Sequence, residues 1–163
     1  MRRFTLGLVL LAAACAAPGA GEPQWIELFD GETLTGWRGY RMESAPDGWQ
    51  VVDGTLARTA PAGDLVTERE FGDFVLELEW RIEPGGNSGI FYGVTEESAA
   101  VWHTAPEMQV LDDAAQGEGL RPEHAAGADY DLHPPRVRAA QPAGAWNRVR
   151  LEVVGTHVRH FLN

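Results

Sequence analysis

A chain of 163 residues is long enough for one domain with a real hydrophobic core. Its formal net charge of −11 argues against nucleic acid or anionic lipid as a partner. The only cysteine, Cys15, excludes an internal disulfide, and every cationic side chain is arginine, which together with the many alanines reflects a GC-rich genome rather than a function.

The chain opens on a basic head, Met1-Arg2-Arg3, followed by the eleven-residue apolar run FTLGLVLLAAA. Such a run is short for a bilayer span and has the make-up of a secretory signal. Residues 1–20 therefore read as a leader with a tether, and the sequence is expected to be exported to the periplasm or cell envelope. Two cleavage readings compete. LAAAC resembles a bacterial lipobox that would place Cys15 for lipidation, with Ala12 where leucine is usual; cleavage at the small residues up to Ala20 would discard that cysteine. Without Arg2 and Arg3 the net charge becomes −13, since the leader holds no Asp or Glu. APGAGEP, residues 17–23, reads as a flexible link to the domain, and a lipid on Cys15 would be its one attachment to a membrane.

From Trp25 onward the pattern has period two. In VLELEWRI, Leu76, Leu78, Trp80 and Ile82 face one way and Glu77, Glu79 and Arg81 the other. EMQVL sets Met108 and Val110 against Glu107 and Gln109, and NRVRLEVV sets Val149, Leu151 and Val153 against Arg148, Arg150 and Glu152. Glycine-rich turns at DGETLTG, VVDGT, PGG and VVGT separate these runs, and no helical periodicity competes. The expected fold is an all-β sandwich with Leu76, Leu78, Trp80, Ile82, Val149 and Leu151 buried between its sheets. No repeat of 20–50 residues suggests a propeller or solenoid.

One segment departs from that rhythm. Residues 103–145 hold a single clear strand, and loops of that length in a compact domain are usually functional or disordered. This one carries His103, His124, His133, Asp112, Asp113 and Tyr130, too many ordered-type side chains for a linker, and reads as an ordered loop system over one sheet.

The order IELFDGETLTGW, GDFVLELEWRIEPGGNSGIFYGV, PEMQVLDD, AGADYDL and AGAWNRVRLEVVGTHVRHFLN resembles the 3-keto-disaccharide hydrolase domain family, over residues 25–163. The resemblance implies a concanavalin-like jelly roll with one concave, polar sheet. It also implies an exported bacterial protein concerned with glycosides oxidised at sugar carbon 3. The family usually continues beyond HFLN with a glycine and a further strand, so the last strands of the domain are expected to be missing here.

Several residues are candidates for a site. PGGNSGIFYG reads either as a loop needing glycine backbone or as a surface that a sugar ring can approach, with Asn87 and Tyr92 as contacts. Glu107 and Gln109 share a face opposite Met108 and Val110, and that face is expected to be shared with Glu79 and Arg81 on another strand. Among the histidines, the usual bases near neutral pH, His124 lies in the long loop and His160 on the last strand, where it reads equally as a core residue. His133 and His157 read as surface residues. Asp112 could orient a histidine or bind a cation, and Trp102 is the expected sugar platform, whereas Trp80 reads as core. No cofactor is called for. The Glu, Asp and His residues are compatible with a divalent metal, Ca²⁺ or Zn²⁺, but no spacing is diagnostic of one. No G-x-S-x-G is present to supply a serine nucleophile.

The chemistry implied by the resemblance is economical. A ketone at carbon 3 acidifies the hydrogen at carbon 2; a base removes it, the aglycone leaves from carbon 1 by β-elimination, and water can add afterwards. One base, a partner for the enediolate and an acid for the leaving group suffice, without the paired carboxylates of an ordinary glycosidase. Glu107 or His124 would be the base, Arg81 the enediolate partner, and Tyr130 or His160 the acid. An aromatic groove without such a cluster would make the domain a carbohydrate-binding module instead, and loss of its last strands would make it an inactive fragment.

Overall fold

The computed structural model describes residues 25–163 and, as backbone alone, Leu11–Ala14. Cys15 and the rest of the leader and tether lie outside the described residues. In chain order the strands are β1 (Leu11–Ala14), β2 (Trp25–Glu27), β3 (Trp37–Gly39), β4 (Trp49–Val52), β5 (Thr55–Arg58), β6 (Leu65–Thr67), β7 (Phe74–Trp80), β8 (Asn87–Phe91), β9 (Glu107–Leu111), β10 (Asn147–Val154) and β11 (His157–Leu162). One helical turn, α1 (Asp113–Gln116), and three short 3-10 turns complete the described elements. Every strand pair is antiparallel.

The larger sheet has the order β11-β10-β7-β1-β2, and β3-β6, β4-β5 and β8-β9 form separate ladders. Two hairpins follow directly from the sequence. Asp53-Gly54 joins β4 to β5 with both residues at positive φ, as a two-residue turn matched to strand twist demands. Gly155, also at positive φ, begins the two-residue turn between β10 and β11.

β7 and β10 pair Leu78 with Val149 and Leu76 with Leu151. Leu78, Trp80, Val149 and Leu151 meet Met108, Val110 and Leu111 of β9 in one core, with Leu56, Trp49 and Phe29 closing it. The fold is thus the all-β antiparallel sandwich that the alternation predicts. Each fully buried aliphatic side chain contributes roughly 1.5–3 kcal/mol of transfer free energy. Ile82 is buried as expected; Leu76 is only half-buried, at the margin of the core. On the outer face of the larger sheet a charge ladder runs through Arg148, Glu77, Arg150, Glu152 and Arg159. Exposed pairs of this kind add little stability each.

The long segment is ordered. Gln109 donates its backbone N–H to Ala128 O and accepts from Gly127 N–H, so residues 127–130 run beside β9 almost as a further strand. Ala125, Ala126 and Ala128 are fully buried there, their small side chains allowing the loop to lie close on the sheet. At its other end, the buried Asn147 accepts from Gln141 N–H and from the Asn163 amide, which itself donates to Ala139 O.

Candidate active site

The site is built on β8 and β9. Their register sets Gly89 opposite Gln109 and Phe91 opposite Glu107, so these four share one face. Met108 and Val110 point the other way, into the core. Glu107 reaches diagonally across the ladder, a distance well within the range of a long side chain, and lays its carboxyl over Gly89. Among the described residues the carboxyl has no hydrogen-bond or ion-pair partner. Burial pushes its pKa up to about 7, with the charge of Asp64 adding to the effect.

The bridge between Met108 and Asp129 carries this face onto the long loop. Tyr130 follows Asp129, donates its backbone N–H to Glu107 O at 2.9 Å, and so stands on the Glu107 side. His124 stacks on its ring, with centroids 4.6 Å apart and planes inclined by 13°. The His124 Nε2 lies 3.1 Å from Asp131 Oδ1, and Arg121 bridges Asp131 and Glu123. These contacts hold both carboxyls below their ordinary range: His124 is the leading cause for Asp131, and for Glu123 a backbone N–H comes first and Arg121 second. Gln109 is buried beneath this surface, its Oε1 accepting Val110 N–H at 2.9 Å.

One rim of the site comes from the β3–β6 ladder, where Asp64 adds its charge to the surroundings of Glu107. Tyr40 N–H donates to Asp64 O, and the single proton of the Tyr40 hydroxyl is shared between Thr95 O and Ser98 O. Arg38 forks onto Glu96 at 2.7 and 3.0 Å. These bonds fasten the loop that carries Trp102, which is 63% exposed with its ring edge-on to His103 at 5.9 Å.

The structure therefore gathers Glu107, Tyr130 and His124 on one surface, with Gln109 buried beneath it, and leaves other expected residues elsewhere. Glu79 and Arg81 do not share the Glu107 face. β7 and β9 approach the core from opposite sheets, so their polar faces are opposite outer surfaces of the sandwich, and the expectation of a shared face is corrected. Arg81 lies over the Trp146 ring at 4.8 Å. His160 and Tyr92 lie on the core side, bonded to each other at 3.1 Å. The His160 Nδ1 faces Gly127 O at 3.3 Å, so Nδ1 carries the proton and Nε2 accepts the tyrosine hydroxyl. Burial lowers the His160 pKa, and burial with the Asp129 charge pushes Tyr92 up to about 12, so both are neutral fasteners between sheets. Asp112 is buried and holds the glycine loop, accepting Gly85 N–H at 2.8 Å through its side chain and donating its own N–H to Gly86 O. Asn87 is exposed at the start of β8 and makes no side-chain hydrogen bond among the described residues.

Sequence reasoning missed Asp64, Asp131 and the role of Gly89. Asp64 and Asp131 sit in ordinary turn sequence and acquire neighbours only through the fold. Asp131 alone carries a local signal, a positive φ that aspartate tolerates better than most residues. Among the described residues no three His, Cys, Asp or Glu side chains gather as a metal site.

Fold and site together define an antiparallel β-sandwich with an acid held on the outer face of one strand ladder. Residues 24–163 match the 3-keto-alpha-glucoside-1,2-lyase-like domain, and the chain belongs to that family. It is 34% identical to the 3-keto-disaccharide hydrolase of Bacteroides thetaiotaomicron, over 85% of this chain and 56% of that protein. The chain thus spans a little over half the length of that relative. A crystal structure of a candidate glycosyl hydrolase from Parabacteroides distasonis superposes with a TM-score of 0.77 at 31% identity, covering 85% of this chain and 67% of that one. A second candidate glycosyl hydrolase structure from the same organism gives a TM-score of 0.67 at 24% identity over 78% and 68% of the two chains, a likeness of fold.

Proposed function

We propose that this domain cleaves glycosides whose sugar is oxidised at carbon 3, with Glu107 as the base that removes the hydrogen at carbon 2. The observation that carries this reading is the half-buried, unpartnered Glu107 carboxyl with its pKa raised to about 7. A carboxylate so placed is a stronger base than one in water, yet still largely ionised a little above neutrality. The names of the family and of the Bacteroides relative supply the substrate class.

In this reading Glu107 takes the proton from carbon 2, and the electron pair passes into the ketone as the enolate. The enolate then re-forms the carbonyl and expels the aglycone oxygen from carbon 1, leaving a carbon 1–carbon 2 double bond. His124, fixed between the Tyr130 ring and Asp131, gives the leaving oxygen its proton. Water can add to the unsaturated ketone afterwards. Trp102, on the rim, stacks on the sugar or its aglycone. The basic head and apolar run support export, with the substrate met in the periplasm or cell envelope.

The test compares wild type with Glu107→Gln on a 3-keto-glucoside and on its unoxidised parent. Wild type should consume only the oxidised substrate, and the variant should turn it over on the order of 10²-fold more slowly while staying folded. A wild-type protein that binds plain oligosaccharide and leaves both glycosides intact would establish a binding module instead.

A further inference from the structure

Gly89 stands in the middle of β8 where its backbone does not call for glycine. It is absent from the residues at positive φ, unlike Gly85 and Gly93 on either side of the strand. Glycine inside a strand weakens it and often marks a place where another group approaches closely. Here that group is the Glu107 side chain. A methyl group built on Gly89 would lie 2.6 Å from the Glu107 Cδ and 2.7 Å from Cγ, and closer still to Oε1. The room left by the missing Cβ is taken by the Glu107 side chain.

We infer that Gly89 is a positioning residue for Glu107: the missing side chain at position 89 lets the carboxyl lie down on β8 instead of standing out into solvent. Because the carboxyl has no hydrogen-bond or ion-pair partner among the described residues, packing alone sets its direction. Gly89 beneath it therefore decides both its aim and its shielding from water. The first governs how the base meets carbon 2, and the second its proton affinity. The consequence for catalysis rests on the proposed function; the placement itself does not.

The test is a cycle of Gly89→Ala, Glu107→Ala and the double variant, read by thermal unfolding and by a carboxyl-carbon NMR titration of Glu107. Gly89→Ala in the wild-type background should lower the melting temperature and move the Glu107 titration from near 7 towards the ordinary 4.5. On a 3-keto-glucoside it should lower kcat on the order of tenfold or more, with KM little changed and the pH profile following the titration. With Glu107→Ala the clash is gone, so adding Gly89→Ala should leave the melting temperature unchanged or raise it. If Gly89→Ala alone fails to fold, the double variant still must. Should the double variant be destabilised as much as Gly89→Ala alone, or the Glu107 titration stay near 7 in Gly89→Ala, the inference fails. If the titration moves as expected but Glu107→Gln retains full turnover, Gly89 still positions Glu107, and it is the proposed base that is wrong.

Discussion

Replacing Glu107 by glutamine should stabilise the domain in a way that depends on pH. The change keeps the size of the side chain over Gly89 and removes a charge that burial disfavours. The proton is held more tightly in the folded protein, where the pKa is about 7, than in the unfolded chain, near 4.5. Below about 4.5 the group is neutral in both states, and its full contribution to stability is present. That contribution is lost as the pH rises through the folded value. A tenfold change in proton affinity corresponds to about 1.4 kcal/mol, so the loss is at most about 3.4 kcal/mol. The side chain is only half-buried, and solvent screening reduces this to about 1–2 kcal/mol. Urea unfolding at pH 4, 5.5, 7 and 8.5 should therefore find wild type and Glu107→Gln alike at pH 4 and the variant more stable by about 1–2 kcal/mol at pH 8.5. Groups common to both proteins cancel in that difference. A difference constant across the range, or a variant less stable at every pH, would refute the placement of a shielded, raised carboxyl. A gain in stability from removing an active-site charge is also the usual trade against activity.

Three further outcomes follow from the same structure. Leu151→Ala, at a fully buried position of β10, should cost about 2–5 kcal/mol by the cavity it leaves, measured by denaturant unfolding; a loss below about 1 kcal/mol would contradict the assigned core. Asp112→Ala leaves Gly85 N–H without its acceptor and should cost about 1–3 kcal/mol, with faster amide exchange at Gly85; unchanged exchange would show that the carboxylate does not hold the loop. Cys15→Ser should release the protein from the membrane fraction or stall its processing if the leader is that of a lipoprotein, whereas a wild-type protein found soluble and cleaved beyond Cys15 would overturn that expectation.

Much of this molecule follows from local pattern. Period-two alternation is enough to place Leu78, Trp80, Val149 and Leu151 on core faces, because a strand that covers a core must present apolar side chains every second residue. The two-residue turns at Asp53-Gly54 and Gly155-Thr156 are equally local, since positive φ at Asp53, Gly54 and Gly155 selects those residues. Pairing Glu107 and Gln109 on one polar face, opposite Met108 and Val110, rests on the same rule. Alternation has no memory of which sheet a strand joins, however. Glu79 and Glu107 occupy equivalent positions in their own strands, yet β7 and β9 lie on opposite sides of the core, and only packing separates their polar faces onto different surfaces. His160 likewise read as either base or core residue until β11 brought it against Tyr92. The proton affinity of Glu107 is the least local property of all. It depends on the burial of the carboxyl where it reaches diagonally to Gly89 and on the charge of Asp64, contributed by segments far apart in the chain. Sequence sets which side chains face outward; the stacking of the two sheets decides which of them meet and how much water they lose.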